Sequence, residues 1–150
     1  MAVTASGLFV STFIDVLDTT QLALDLDLET HKIALFSDTV TPNFSTDTGY
    51  GTGTWASNEV SGTGWAAGGV ALTSTVFTEA VTGSAVFDAA DVSEATTTLT
   101  SAMCGLIYAD ALAGNNAICL VDFVTAVSTE AGTLTNTWAA GGIFNIDLTP

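Results

Sequence analysis

The side chains able to do acid, base or nucleophilic chemistry are few and scattered. His31 is the chain's one imidazole, Lys32 its one cationic side chain, and Cys104 and Cys119 its two thiols; there is no arginine. Nucleophilic catalysis needs a Ser or Cys beside a base that a third group holds in place. His31 lies in HKIALF, which has no nucleophile motif, and neither cysteine has a cationic neighbour in sequence to lower its pKa. Phosphoryl transfer without arginine lacks the usual cationic clamp. The glycine-rich NEVSGTGWAAGG at 58–69 has no strand before it, no helix after it and no lysine, so it reads as a structured turn rather than a phosphate cradle. No Cys or second His stands near His31 to complete a zinc site, and His31 is expected at the surface beside Lys32.

Asp25, Asp27 and Glu29 are hard oxygen donors of the kind Ca²⁺ takes. Their spacing lacks the Gly and paired Asp/Asn of an EF-hand loop, and a solvated acidic edge is the expectation. Sixteen acids offer many pairs for glycoside cleavage, but no spacing selects one. Trp55, Trp65 and Trp138 could form a sugar-stacking platform, although tryptophans beside glycine turns more often plug a core or an interface. The sequence therefore predicts no catalytic residue, no metal site and no cofactor.

Composition says more than motifs do. The 150 residues suffice for one domain, 1–150, with a real hydrophobic core. Sixteen acids against one base leave a net charge of −15. Such a chain cannot neutralise phosphates, so no nucleic-acid partner is expected, and an anionic membrane would repel it. A basic protein surface or divalent cations are what its field attracts. Charged residues make up only 11% of the chain and apolar ones 48%, with a mean hydropathy of +0.51. Too few charges are available to cover the outside, which predicts a surface of small polar residues in part and burial against neighbours in part: an assembly subunit. No apolar run approaches the ~20 residues that span a bilayer. The opening MAVTASGLFVSTFIDVLD lacks the basic start of a signal peptide, so synthesis in a cytoplasm is expected.

The elements must then be mostly strands. MCGLIYADALAGNNAICLVDF at 103–123 reads as two apolar arms, 103–109 and 117–123, around a turn ending in Gly114, Asn115 and Asn116, and forms a central buried hairpin. Cys104 and Cys119 sit one in each arm, expected as packed thiols with a disulfide as the alternative. Ser6 is placed to cap a helix over 8–17, whose stripe of Phe9, Val10, Phe13, Ile14 and Leu17 would seal one end of a β core or dock on a partner. Alternating leucines and acids predict a half-buried strand over 22–29, and HKIALF a strand over 31–36. The seventeen residues of 37–53 read as a long loop of the sort that serves an interface. Further strands are predicted at 70–77, 85–89 and 96–101, with 133–138 and 143–148 as a last pair and turns at 88–94 and 128–131. WAAGG recurs after Trp65 and Trp138, the same turn chemistry used twice. About eight short strands predict a mainly β fold, an antiparallel β-sandwich or jelly roll with one short N-terminal helix, residues 1–18 forming a helical arm.

Four stretches in this order, HKIALFSDTVTPNF (31–44), NEVSGTGWAAGGVAL (58–72), GLIYADALAGNNAICLVDF (105–123) and IFNIDLTP (143–150), make the chain resemble a family of small tailed-phage virion structural proteins. Members of that family are described as head decoration, minor capsid or tail-fibre proteins. The resemblance implies a non-enzymatic virion protein made in the host cytoplasm. It implies a capsid decoration protein on the outside of the shell, with the major capsid protein as partner and self-association between copies, a trimer being one form. Residues 1–18 and the 37–53 loop are the expected contacts, and Phe9, Phe13, Leu17, Phe44, Tyr50, Trp55 and Trp65 the expected interface residues. The alternative it implies is a tail-tip or fibre protein in which Trp55 and Trp65 stack on host-surface carbohydrate.

Overall fold

The computed structural model of the chain describes residues 3–149. Along them run β1 (Gly7–Leu8), α1 (Val10–Leu17), β2 (His31–Phe36), β3 (Glu59–Val60), β4 (Val70–Ala71), β5 (Val76–Val81), β6 (Ser84–Asp88), β7 (Val92–Ala109), β8 (Ala117–Asn136) and β9 (Phe144–Asp147). The larger sheet runs β1-β8-β7-β2-β3, with β4 also on β2, and the smaller runs β5-β6-β9. Their pairings are antiparallel. The fold is mainly β and sandwich-like, with one short helix near the N-terminus, as predicted.

The apolar runs of β2 and the central hairpin exist because the larger sheet is covered on both faces. Ile33, Leu35, Ile107 and Ile118 enter one core, where Phe87 of the small sheet meets them. Ala34, Phe36, Cys104, Leu106 and Tyr108 enter the other. That second face is roofed by Val40, Phe44, Tyr50 and Trp55 of the long loop, together with Val3 and Phe9. The loop carries a 3-10 turn at Gly53–Ala56 and is a structural cover as much as an excursion. Residues 3–9 are likewise not a free arm. β1 adds to the edge of β8, and a side chain at Gly7 would strike the Phe44 ring.

Several predicted elements take another form. Ser6 does not cap the helix; its hydroxyl accepts the Asp122 N–H at 2.9 Å, and α1 starts after Phe9 with no side-chain cap. Residues 22–29 form no strand: they are irregular, with a turn at 26–28. Asp25 Oδ1 accepts the N–H groups of Asp27 and Leu28, the local Asx bonding that competes with a ladder. The 70–77 strand splits into β4 and the start of β5, while Ser93 and Glu94 lie within β7 rather than in a turn. Residues 128–131 do not turn the chain, because β8 runs through them to Asn136. The irregularity there is a series of bulges. Ala131 and Val124 adopt positive φ, and the register slips at several points between β7 and β8. Bulges bend and twist a strand pair, which lets the far half of the hairpin curl so that Leu99 and Leu134 reach the first core. The 133–138 and 143–148 segments do not pair with each other. β9 instead pairs with β6, with Phe144 opposite Phe87.

Candidate functional site

Of the residues that could do chemistry, His31 and the two cysteines are built into the interior. His31 is completely buried, not at the surface, because it opens β2 at its junction with β7. Its Nε2 lies 3.0 Å from the Asp25 carbonyl oxygen, and its ring stands edge-on to Phe87 at 5.8 Å. Burial lowers its pKa below the ordinary 6.5, although the Asp25 carbonyl and Glu29 pull the other way. A neutral ring with Nε2–H donating leaves Nδ1 buried without a partner. Cys104 and Cys119 are both free and buried. They face opposite cores, Cys104 the second and Cys119 the first, which is why no bridge joins the two arms. Burial pushes Cys104 up to about 12, with Asp122 and Asp38 adding to it, and raises Cys119 further. Neither is a thiolate nucleophile near neutral pH. Lys32 pairs with Asp110 at 2.9 Å. Among the described residues no group of three His, Cys, Asp or Glu side chains is placed to hold a metal ion. No helix among them is long and apolar enough to cross a membrane.

The residues predicted to form contacts divide sharply. Phe9, Trp55 and Trp65 are buried within the chain, so they are core rather than interface, and the two indoles offer no face to a sugar. Trp55 meets Phe9 and Phe36 edge-on and donates from Nε1 to Asp47 at 3.0 Å. Trp65 fills the first core with its indole N–H unpartnered. Phe44 and Tyr50 are half-buried in the roof of the second core. Tyr50 stacks on Tyr108 at 4.6 Å and donates its hydroxyl to Glu59 at 2.8 Å, and burial followed by Glu59 pushes its pKa up to about 12. Glu59 also accepts the Gly68 N–H at 2.6 Å, and Tyr108 donates to the Gly68 carbonyl at 2.8 Å. This cluster fastens the loop to the 66–69 turn. There Gly69, at φ +77, passes so close to Ile33 that any side chain would meet its carbonyl.

Phe13 and Leu17 belong to a different place. The helix stripe splits: Thr12 bonds the Ala117 carbonyl at 2.5 Å and Phe13 stands edge-on to Phe144 at 6.1 Å, while Val10, Ile14 and Leu17 turn outward. Ile14 is 53% and Leu17 87% exposed. They form one wall of a groove of about 820 Å³. Leu24 and Leu26 of the turn preceding β2 form a second wall, and Phe77, Ala85, Ile146 and Leu148 of the small sheet a third. Among the described residues, four of the eight large apolar side chains left exposed (Val10, Ile14, Leu17 and Leu148) line it. Asp18, Asp25 and Asp27 supply its polar part. Each is held by backbone donors on Oδ1: Asp18 by Thr20, Asp25 by Asp27 and Leu28, and Asp27 by Phe77 of β5. Of the acids expected at a solvated edge, Asp25 and Asp27 are exposed as expected, and with Asp18 they fix the groove's mouth. A second depression of about 350 Å³ shares Phe77, Ala85 and Leu148 with it and carries it along the β5–β6 hairpin.

The sequence pointed to Phe13 and Leu17 through the helical stripe, but nothing in it joined them to Leu24, Phe77, Ala85 and Ile146. No family model matches the chain, and no curated protein or solved structure matches it.

Proposed function

We propose that the chain is a non-enzymatic virion structural protein: a capsid decoration protein bound to the outside of the major capsid shell. The observation that carries this reading is the open apolar groove on a chain with sixteen acids and one base. Apolar surface gathered in one place and left uncovered marks a contact with a partner. A shell under internal DNA pressure gains stability from small proteins that clamp its subunits, and a clamp needs interface area rather than catalysis. Copies repeated by symmetry would cover the excess apolar surface of a chain with this composition. A net charge of −15 would also keep the protein off the genome.

The placement of the reactive groups supports the same reading. The one imidazole is sealed in a core and both thiols are held protonated, so neither thiol is activated by an imidazole at the surface. The tail-fibre reading has lost the tryptophan platform that motivated it, since Trp55 and Trp65 lie inside.

Copy number tests the proposal. Densitometry of this chain against the major capsid protein, on a gel of purified virions, should give hundreds of copies per particle. A few to a few dozen copies would move it to the tail, and absence from the particle would end the virion reading.

A further inference from the structure

Resting on that reading, we infer that the groove between α1, the 24–27 turn and the small sheet seats a segment of another protein, apolar at its centre and flanked by Lys or Arg. The walls set the first requirement. Val10, Phe13, Ile14, Leu17, Phe77 and Leu148 offer apolar contact, and about 820 Å³ accommodates several side chains at once. The shared depression of about 350 Å³ gives the groove a direction, along the β5–β6 hairpin, that suits a chain segment better than a compact ligand.

The mouth sets the second requirement. Asp18, Asp25 and Asp27 stand at it, and the chain's one cationic side chain is engaged elsewhere with Asp110. An occupant with an anionic head group would bring like charge to these carboxylates. A second copy would bring sixteen acids and one base, so it cannot supply the missing cations; self-association must use another surface. A lysine- or arginine-flanked segment answers both the apolar floor and the acidic mouth. The carboxylates are also pre-positioned. Their Oδ1 atoms are tied to backbone N–H groups, so binding orders little that is not already ordered.

Two labelled synthetic peptides with one leucine-rich centre, one flanked by lysines and the other by glutamates, test this by fluorescence anisotropy on the intact protein. The lysine-flanked peptide should bind at least about tenfold more tightly, and its affinity should fall as salt is added. Ile14→Asp and Leu17→Asp, at exposed positions, should each weaken it by about tenfold or more although they add negative charge. Mere attraction to an acidic protein would strengthen instead, and that result would overturn the inference. Asp18→Asn and Asp27→Asn keep the Oδ1 acceptor while removing charge, and together they should narrow the gap between the two peptides without lowering Tm. Equal binding of both peptides, or none of either, would refute the inference. So would a dimer in analytical ultracentrifugation that Leu17→Asp dissociates. High copy number on heads combined with a negative peptide result would leave the decoration reading standing and remove only this groove's role.

Discussion

His31 shows how a single side chain can mislead at the sequence level and still leave a measurable signature. A histidine beside a lysine looks solvated, yet this one opens a strand whose residues 33–36 are all buried, and it is 0% exposed. Because desolvation holds its folded pKa below 6.5, the folded protein resists a proton that the unfolded chain accepts at about 6.5. The neutral ring's contribution is therefore complete above pH 6.5 and is lost as pH falls below it, until the folded pKa is passed. His31→Gln keeps a donor for the Asp25 carbonyl but cannot titrate. The difference in unfolding free energy between wild type and variant, measured by urea melts from pH 7.5 downward, should shrink by up to about 1.4 kcal/mol per pH unit below 6.5. Taking the difference cancels the carboxylates, which titrate in both proteins. A flat difference would mean that the ring reaches solvent.

Strain in the long hairpin belongs to the scale of elements. Between the pairs Cys104–Asp122 and Ala102–Val127, β7 spends one residue where β8 spends four, so the excess must loop out. Val124 sits there at φ +64, 74% exposed, its N–H held by Asp122 Oδ1 at 2.8 Å. A β-branched residue in the left-handed region is costly, roughly 1–3 kcal/mol, and an exposed one recovers little of that by packing. Val124→Asn, a residue that tolerates this conformation, should raise the urea midpoint by the equivalent of about 1 kcal/mol with an unchanged slope. A loss would show that Val124 packs on something beyond the chain.

The same bulges mark the limit of what the sequence could tell. β2 and the inner arms of the hairpin were legible because both faces of each are buried, which writes an uninterrupted apolar run. Residues 22–29 carry a strand's alternation, but Asp25 takes backbone donors locally, Asp27 takes one from β5, and Leu28 ends in solvent. Residues 128–131 look like a turn because a bulged strand uses turn residues to absorb its extra length. The groove was not legible at all beyond its helical wall. Its second wall, Leu24 and Leu26, is near in sequence but carries the pattern of a strand, and its third comes from segments some sixty to one hundred and thirty residues away, whose meeting no local pattern records.

For the molecule as a whole, charge decides which way salt acts, and it acts oppositely on folding and on docking. Fifteen uncompensated negative charges repel one another more strongly in the folded chain than in the expanded one. Screening removes that repulsion, and the half-exposed Lys32–Asp110 pair loses little attraction by it. Raising NaCl from about 10 mM to about 0.1 M shortens the screening length from roughly 30 Å to 10 Å, less than the span of the sheet. Tm should therefore climb over that range by a few degrees, given that about 1 kcal/mol corresponds to roughly 2–4 °C for a chain of this size. The lysine-flanked peptide should come off the groove over the same range, since its attraction to Asp18, Asp25 and Asp27 is screened by the same ions. A differential scan paired with an anisotropy titration across one salt series would show the two curves diverging. Curves that moved together would mean that the acids contribute nothing to what the groove selects.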